Sequence, residues 1–180
     1  MRNPWKLLLL LPIFCFVACS GDPEEDAPDG YTSQVPNIPD SYEFDLDDDG
    51  MADYSLAYWV LQDFPQISIL SITGRFIPLG LNEVLLKHPW RELYLSGIEE
   101  IENEVSEPLF WLNTSFNIVG IGNHVEKGWP LEWSIYCETE YDSYFLGLKL
   151  KKDNLNVMGW VELQVNKSNG HVSIVDKGVF

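Results

Sequence analysis

The sequence predicts an all-β chain, an antiparallel β-sandwich closed by a C-terminal three-strand meander. Three observations predict it. Tyr54, Leu56, Tyr58 and Val60 fall on one face of Asp53–Val60 at a period of two. The C-terminal segment repeats that alternation on both sides of an Asn-Gly corner. Between them, β-branched and aromatic runs recur about every 8–12 residues, separated by turn formers, as in sandwiches.

After Asp53–Val60, Gln66–Thr73 is β-branched and apolar and is followed by Gly74. Val84–Leu86, Glu92–Leu95, Leu109–Trp111 and Trp133–Cys137 are shorter strand candidates. Ser96–Val105 is open to two readings. Ser96-Gly97-Ile98-Glu99 fits a helix capping box and Ile98, Ile101 and Val105 are spaced 3 and 4 apart, but Gly97 and the β-branched residues weaken a helix, so a strand edge is equally open. At the C-terminus Tyr144, Leu146, Leu148 and Leu150 share a face. A Lys-Lys-Asp-Asn turn leads into Val157–Val165, where Val161, Leu163 and Val165 align. Lys167-Ser168-Asn169-Gly170 then turns the chain back into His171–Asp176, since Asn-Gly accepts positive φ at low cost. Gly159, beside Trp160, suits a close approach by a neighbouring strand or ring.

The N-terminus has a different character. Arg2 and Lys6 precede an apolar run from Leu7 to Ala18, too short to span a bilayer as a permanent helix. Phe16-Val17-Ala18-Cys19 follows, with a small residue directly before the cysteine. This build resembles the lipoprotein signal family, which implies cleavage after residue 18 and lipidation of Cys19. Phe16 departs from the Leu usual at its position. An ordinary secretory signal with Cys19 as a bystander is the alternative. Residues 20–40, SGDPEEDAPDGYTSQVPNIPD, are acidic and rich in Pro and Gly, and are expected to form a disordered tether. Ser20 and the cluster Asp22, Glu24, Glu25, Asp26 resemble the sorting and export signals of Bacteroidetes-type surface lipoproteins, against the alternative of a plain acidic linker. The expected organisation is therefore a signal over 1–18, an anchored tether over 19–40 and one β domain over 41–180, placed at a bacterial outer membrane and possible at its outer surface.

Charge narrows the partners. Loss of Arg2 and Lys6 from the 11 basic residues, with all 28 acids retained, leaves a formal charge of −19 on the mature chain, against −17 for the whole. Nucleic acid and anionic lipid surfaces demand the opposite sign, whereas divalent cations are attracted. Of the 3 cysteines, Cys15 lies in the signal and Cys19 takes the lipid, so Cys137 has no disulfide partner and is read as a small buried apolar residue.

One motif carries definite chemistry. In Asp45-Leu46-Asp47-Asp48-Asp49-Gly50-Met51-Ala52-Asp53, carboxylates at positions 1, 3 and 5 can converge on a hard cation and Gly50 permits a sharp turn. Met51 at position 7 offers a backbone carbonyl, and Asp53 at position 9 can ligate through water. Oxygen ligands alone favour calcium. Leu56 replaces the bidentate Glu of an EF-hand and a strand follows instead of a helix, so the loop resembles the D-x-D-x-D-G-x-x-D loops of secreted bacterial proteins. Glu43 is a candidate for a further ligand. The alternative is a solvated acidic turn, in which Asp45, Asp47, Asp48 and Asp49 would repel one another.

With that loop, the tail Tyr144-Phe145-Leu146-Gly147-Leu148-Lys149-Leu150, Met158-Gly159-Trp160-Val161-Glu162-Leu163-Gln164-Val165, then Gly170 and Val172–Asp176 resembles a recurring C-terminal segment of secreted β-rich bacterial proteins, many with PEP-CTERM sorting tails. The resemblance implies an extracellular all-β fold and no catalytic residues. Met158 stands where an aromatic is usual.

These features suggest a calcium-stabilised domain that binds a glycan or a surface protein. Six tryptophans lie beyond the signal, and Trp90, Trp111 and Trp129, near Pro, Gly or Asn, are the candidate contacts, although for any one of them a place in the core is the more ordinary reading. An accessory structural subunit of an outer-membrane assembly is the second reading, and a glycoside hydrolase with two carboxylates the third. No G-x-S-x-G, H-E-x-x-H, P-loop or dinucleotide motif occurs.

Overall fold

The computed structural model describes residues 28–63, 69–88, 92–93, 101–136, 143–152 and 155–180. Its strands in chain order are β1 (Tyr31–Thr32), β2 (Tyr42–Phe44), β3 (Tyr54–Asp63), β4 (Ile69–Pro78), β5 (Glu83–His88), β6 (Glu92–Leu93), β7 (Phe110–Leu112), β8 (Phe116–Gly122), β9 (Trp129–Pro130), β10 (Ser134–Ile135), β11 (Ser143–Lys152), β12 (Leu155–Val165) and β13 (Val172–Val179). No helix occurs among the described residues, and the pairings are antiparallel throughout.

Two sheets form the sandwich. One runs β10-β8-β4-β3-β2; the other runs β13-β12-β11-β5-β6, with β7 also pairing β5. Period-two alternation sends one set of side chains from each into a common core. Tyr54, Leu56, Ile72, Phe76, Val119 and Ile121 come from the first sheet, and Ile118 joins them at the register shift between β4 and β8. Val84, Leu86, Leu146, Leu148, Leu150, Val161, Leu163 and Val172 come from the second. Phe76 stacks on Phe116 at 5.4 Å and packs against Tyr54 at the same separation.

The tail forms the meander the alternation predicts. β11 and β12 pair from Ser143↔Gln164 to Lys152↔Leu155, and β12 pairs β13 from Gly159↔Val179 to Val165↔Val172. Gly170, at φ 73°, makes the turn, and a Cβ there would collide with the Trp133 indole. At Gly159 a Cβ would lie 2.6 Å from the Gly178 carbonyl oxygen and 2.9 Å from Leu46 Cδ2, the close approach expected of that residue.

Several boundaries differ from expectation. β4 continues through Gly74 to Pro78, because Gly74 faces inward opposite Tyr58, where a Cβ would meet Val119 and Tyr58 at 2.7 and 2.8 Å. β8 is a central strand that its own sequence, Phe116-Asn117-Ile118-Val119-Gly120-Ile121-Gly122, disguised with two glycines. The segment expected to be tether up to residue 40 is partly folded: β1 pairs β9, Gly30 O accepts from Leu131 N–H at 3.1 Å, and Tyr31 meets His124 edge to face at 5.5 Å. Signal residues, Cys19, Cys137, Trp90 and the first half of Ser96–Val105 lie outside the described residues; Ile101–Val105 is irregular.

Tyrosines bolt the two sheets together. Tyr42 Oη donates to Val172 O at 3.0 Å, Tyr54 Oη to Glu83 O at 3.0 Å and Tyr58 Oη to Gly170 O at 2.8 Å. Tyr58 Oη also accepts from Val172 N–H at 3.0 Å. Burial raises the phenol pKa of all three, that of Tyr58 to about 12. A raised folded-state pKa means full stability below the unfolded value near 10 and loss as pH climbs through the folded one. Urea unfolding between pH 8 and 12 should therefore show a plateau that falls above pH ~10. Tyr58→Phe should lower the plateau by about 1–3 kcal/mol and make the fall shallower; an unchanged alkaline slope would show that Tyr58 does not contribute to it.

Candidate metal centre

β2 and β3 are joined by the acidic loop, closed at its base where Asp53 N–H donates to Phe44 O at 2.9 Å. Leu46 is buried in the core. Alternation about Leu46 turns Asp45, Asp47 and Asp49 to one another's side, and one oxygen from each lies within 4.8 Å of the others. Asp48 (φ 61°) and Gly50 (φ 89°) bend the loop through the left-handed region, which Asp tolerates and Gly favours. Gly50 N–H donates to Asp45 Oδ2 at 2.6 Å and Met51 N–H to Asp49 Oδ1 at 2.9 Å. Oδ1 of Asp45 and Oδ1 of Asp47 are buried and have no hydrogen-bond partner. This group can hold a metal ion.

Two lysines, both distant in sequence, reach the loop. Lys152 Nζ, at the end of β11, pairs with Asp47 Oδ2 at 2.5 Å and with Asp49 Oδ2. Lys177 Nζ, on β13, pairs with Asp48 Oδ1 at 2.6 Å and donates to Asp45 O. Two ammonium groups against Asp45, Asp47, Asp48, Asp49 and Asp53 leave the loop strongly negative. The Lys152 hydrogen bond holds Asp49 below the usual carboxylate range, assisted by the Met51 amide, and the carboxylates raise the Lys152 pKa. At Asp45, partial desolvation pushes the pKa up, but the loop amides, Gly50 first, outweigh it and the net shift is downward.

Asp53 lies behind this group, not within it. Only 5% exposed, it accepts from Leu46 N–H through Oδ2 at 2.8 Å, and burial raises its pKa. Its backbone carbonyl accepts from Leu79 N–H at 2.9 Å and from Asn82 Nδ2 at 3.1 Å. Asn82 in turn accepts Lys151 N–H through Oδ1 at 2.9 Å, which sets Lys152 at the loop. Met51 has an exposed side chain, and Glu43, exposed on β2, is not among the converging carboxylates. Lys152, Lys177 and Asn82 were missed because nothing local in the sequence marks them; only the strand register delivers them.

The tryptophan candidates fare differently. Trp129 is buried in the core. Trp111 is half-buried, with Nε1 donating to Glu102 O at 3.0 Å and Lys149 Nζ 4.3 Å from its ring centroid. Lys149 is itself buried, which lowers its pKa, and donates to Asn103 O at 2.8 Å. Among the described tryptophans only Trp59 is exposed, at 48%.

Asn82→Ala would strand Lys151 N–H and uncouple Asp53 from β11, at a cost of about 2–3 kcal/mol in urea unfolding; a change below ~0.5 kcal/mol, the scale of an ordinary surface substitution, would show that the tie is dispensable.

No family model, curated protein or solved structure matches this chain.

Proposed function

We propose that this chain is a cell-envelope lipoprotein, anchored through Cys19 in a bacterial outer membrane, whose β-sandwich is pinned by calcium and binds a glycan or a surface partner. The pair of buried, unpartnered oxygens on Asp45 and Asp47 carries the calcium half, because a cation would relieve both at once. Asp45, Asp47 and Asp49 would hold the ion. Their hard, charged oxygens suit calcium, which would supply charge neutralisation and cross-linking of the loop. Lys152 gives the metal-free loop its counter-charge, so an incoming cation competes with that ammonium group. Exposed Trp59 supports the binding half, since the other described tryptophans are buried or half-buried.

A structural accessory subunit is the second reading. Edge strand β13 favours it, with Val175, Val179 and the adjoining Phe180 exposed.

Calcium at about 100 times its dissociation constant should stabilise the fold by about 2.7 kcal/mol. Melting in calcium and in chelator should therefore differ by several degrees, and Asp47→Asn should abolish the difference. Lys152→Met should lower the metal-free melting temperature and tighten calcium binding. Equal melting in both arms would sink the calcium half, and weaker calcium binding in Lys152→Met would sink the competition. Separately, Cys19→Ser should release the protein from the membrane fraction; retention there would contradict the lipid anchor.

A further inference from the structure

We infer that the outer face of the β10-β8-β4-β3-β2 sheet is a ligand platform and that its ligand is a neutral polysaccharide chain. The inference rests on the glycan reading above and supplies its site and chemical class.

Because β3 turns Tyr54, Leu56 and Tyr58 inward, Trp59 points outward. Register sets Trp59 opposite Thr73, Thr73 opposite Gly120 and Gly120 opposite Ser134, in one row across four strands. Tyr136 folds back over this row, and its hydroxyl lies 2.6 Å from where a Cβ on Gly120 would stand. Trp59 and Tyr136 are 48% and 49% exposed. Two strand spacings separate Trp59 from Gly120, about 10 Å, with Gly120 covered by Tyr136 and Thr73 buried between the two aromatics.

Polar groups border the aromatics. Arg75 lies over the Trp59 ring at 5.3 Å and donates through Nε to Asn117 Oδ1 at 2.9 Å. It forms no ion pair among the described residues. Thr73, 3% exposed, lies buried beneath the aromatics, its Oγ1 without a hydrogen-bond partner. The combination matches a pyranose, whose C–H face stacks on an aromatic ring while its hydroxyl rim meets amide and guanidinium donors. Spaced aromatics suit consecutive rings of a chain. A protein partner would instead call for a contiguous apolar centre, which Arg75 and Asn117 interrupt. A net charge of −17 repels polyanions, which selects neutral chains.

The test titrates the purified full chain with xylan, laminarin, amylopectin, galactomannan and alginate by calorimetry. At least one neutral polymer should bind and alginate should not. Trp59→Ala should weaken that binding about tenfold or more, as loss of an aromatic anchor does. Tyr136→Ala should weaken it too, and Trp59→Phe should retain most of it. Melting curves report whether each variant folds; if Trp59→Ala does not, Trp59→Phe and Tyr136→Ala decide. Wild-type binding that survives both alanine variants would overturn the platform and leave the glycan reading standing. Binding of alginate alone would overturn the neutral class. No binding to any polymer would overturn the inference and the glycan reading together.

Discussion

Asn82 ties the two layers at the end of the sandwich where the acidic loop sits. Its amide nitrogen reaches the start of β3 in one sheet, and its amide oxygen holds the end of β11 in the other. Asn113 Nδ2 bonds to its backbone carbonyl as well, at 2.5 Å. Two contacts of the loop follow from that tie. Lys152 reaches Asp47 and Asp49 because its neighbour Lys151 is fixed, and Leu46 enters the core because Asp53, fixed beside Asn82, caps its amide. A buried side-chain amide with both ends satisfied confers geometric specificity beyond its modest net energy.

The two outer faces have opposite fates. On the second sheet, Leu85 and Lys149 are buried on the side facing away from the core, beneath the segment that supplies Glu102, Asn103 and Trp111. Phe145 and Trp160 pack edge to face there at 5.6 Å. On the first sheet Trp59 remains exposed. Trp59 and Tyr136 thus lie open on the first sheet, Phe180 lies open beside the edge strand of the second, and the acidic loop sits at one end.

Local patterns were legible in the sequence, and long-range ones were not. The meander could be read because Leu146, Leu148, Leu150 and then Val161, Leu163, Val165 alternate without interruption. The acidic loop could be read because Asp45, Asp47, Asp49 and Gly50 are close neighbours in the chain. β8 escaped because Gly120 and Gly122 imitate a loop, yet Gly120 makes room for Tyr136. Lys152 and Lys177 stand more than 100 residues from the aspartates they meet, so only register reveals them. Exposure misled the choice of tryptophans. Turn-forming neighbours suggested open loops at Trp111 and Trp129, but those segments pack on the sheets, whereas Trp59 lies mid-strand on a face that nothing in its own sequence marks as open.

The pairing of β1 with β9 has a mechanical consequence. Among the described residues β1 is the first element, so tension applied on its N-terminal side falls first on this two-residue ladder, held by Tyr31↔Pro130 and Thr32↔Trp129. Pulled from one end, so short a ladder peels before the long β3–β4 and β11–β12 ladders bear any load. Peeling back to β2 would pay out about ten residues of slack, roughly 30 Å of extended chain, before force reached the acidic loop. The ladder would therefore act as a shock absorber ahead of the sandwich.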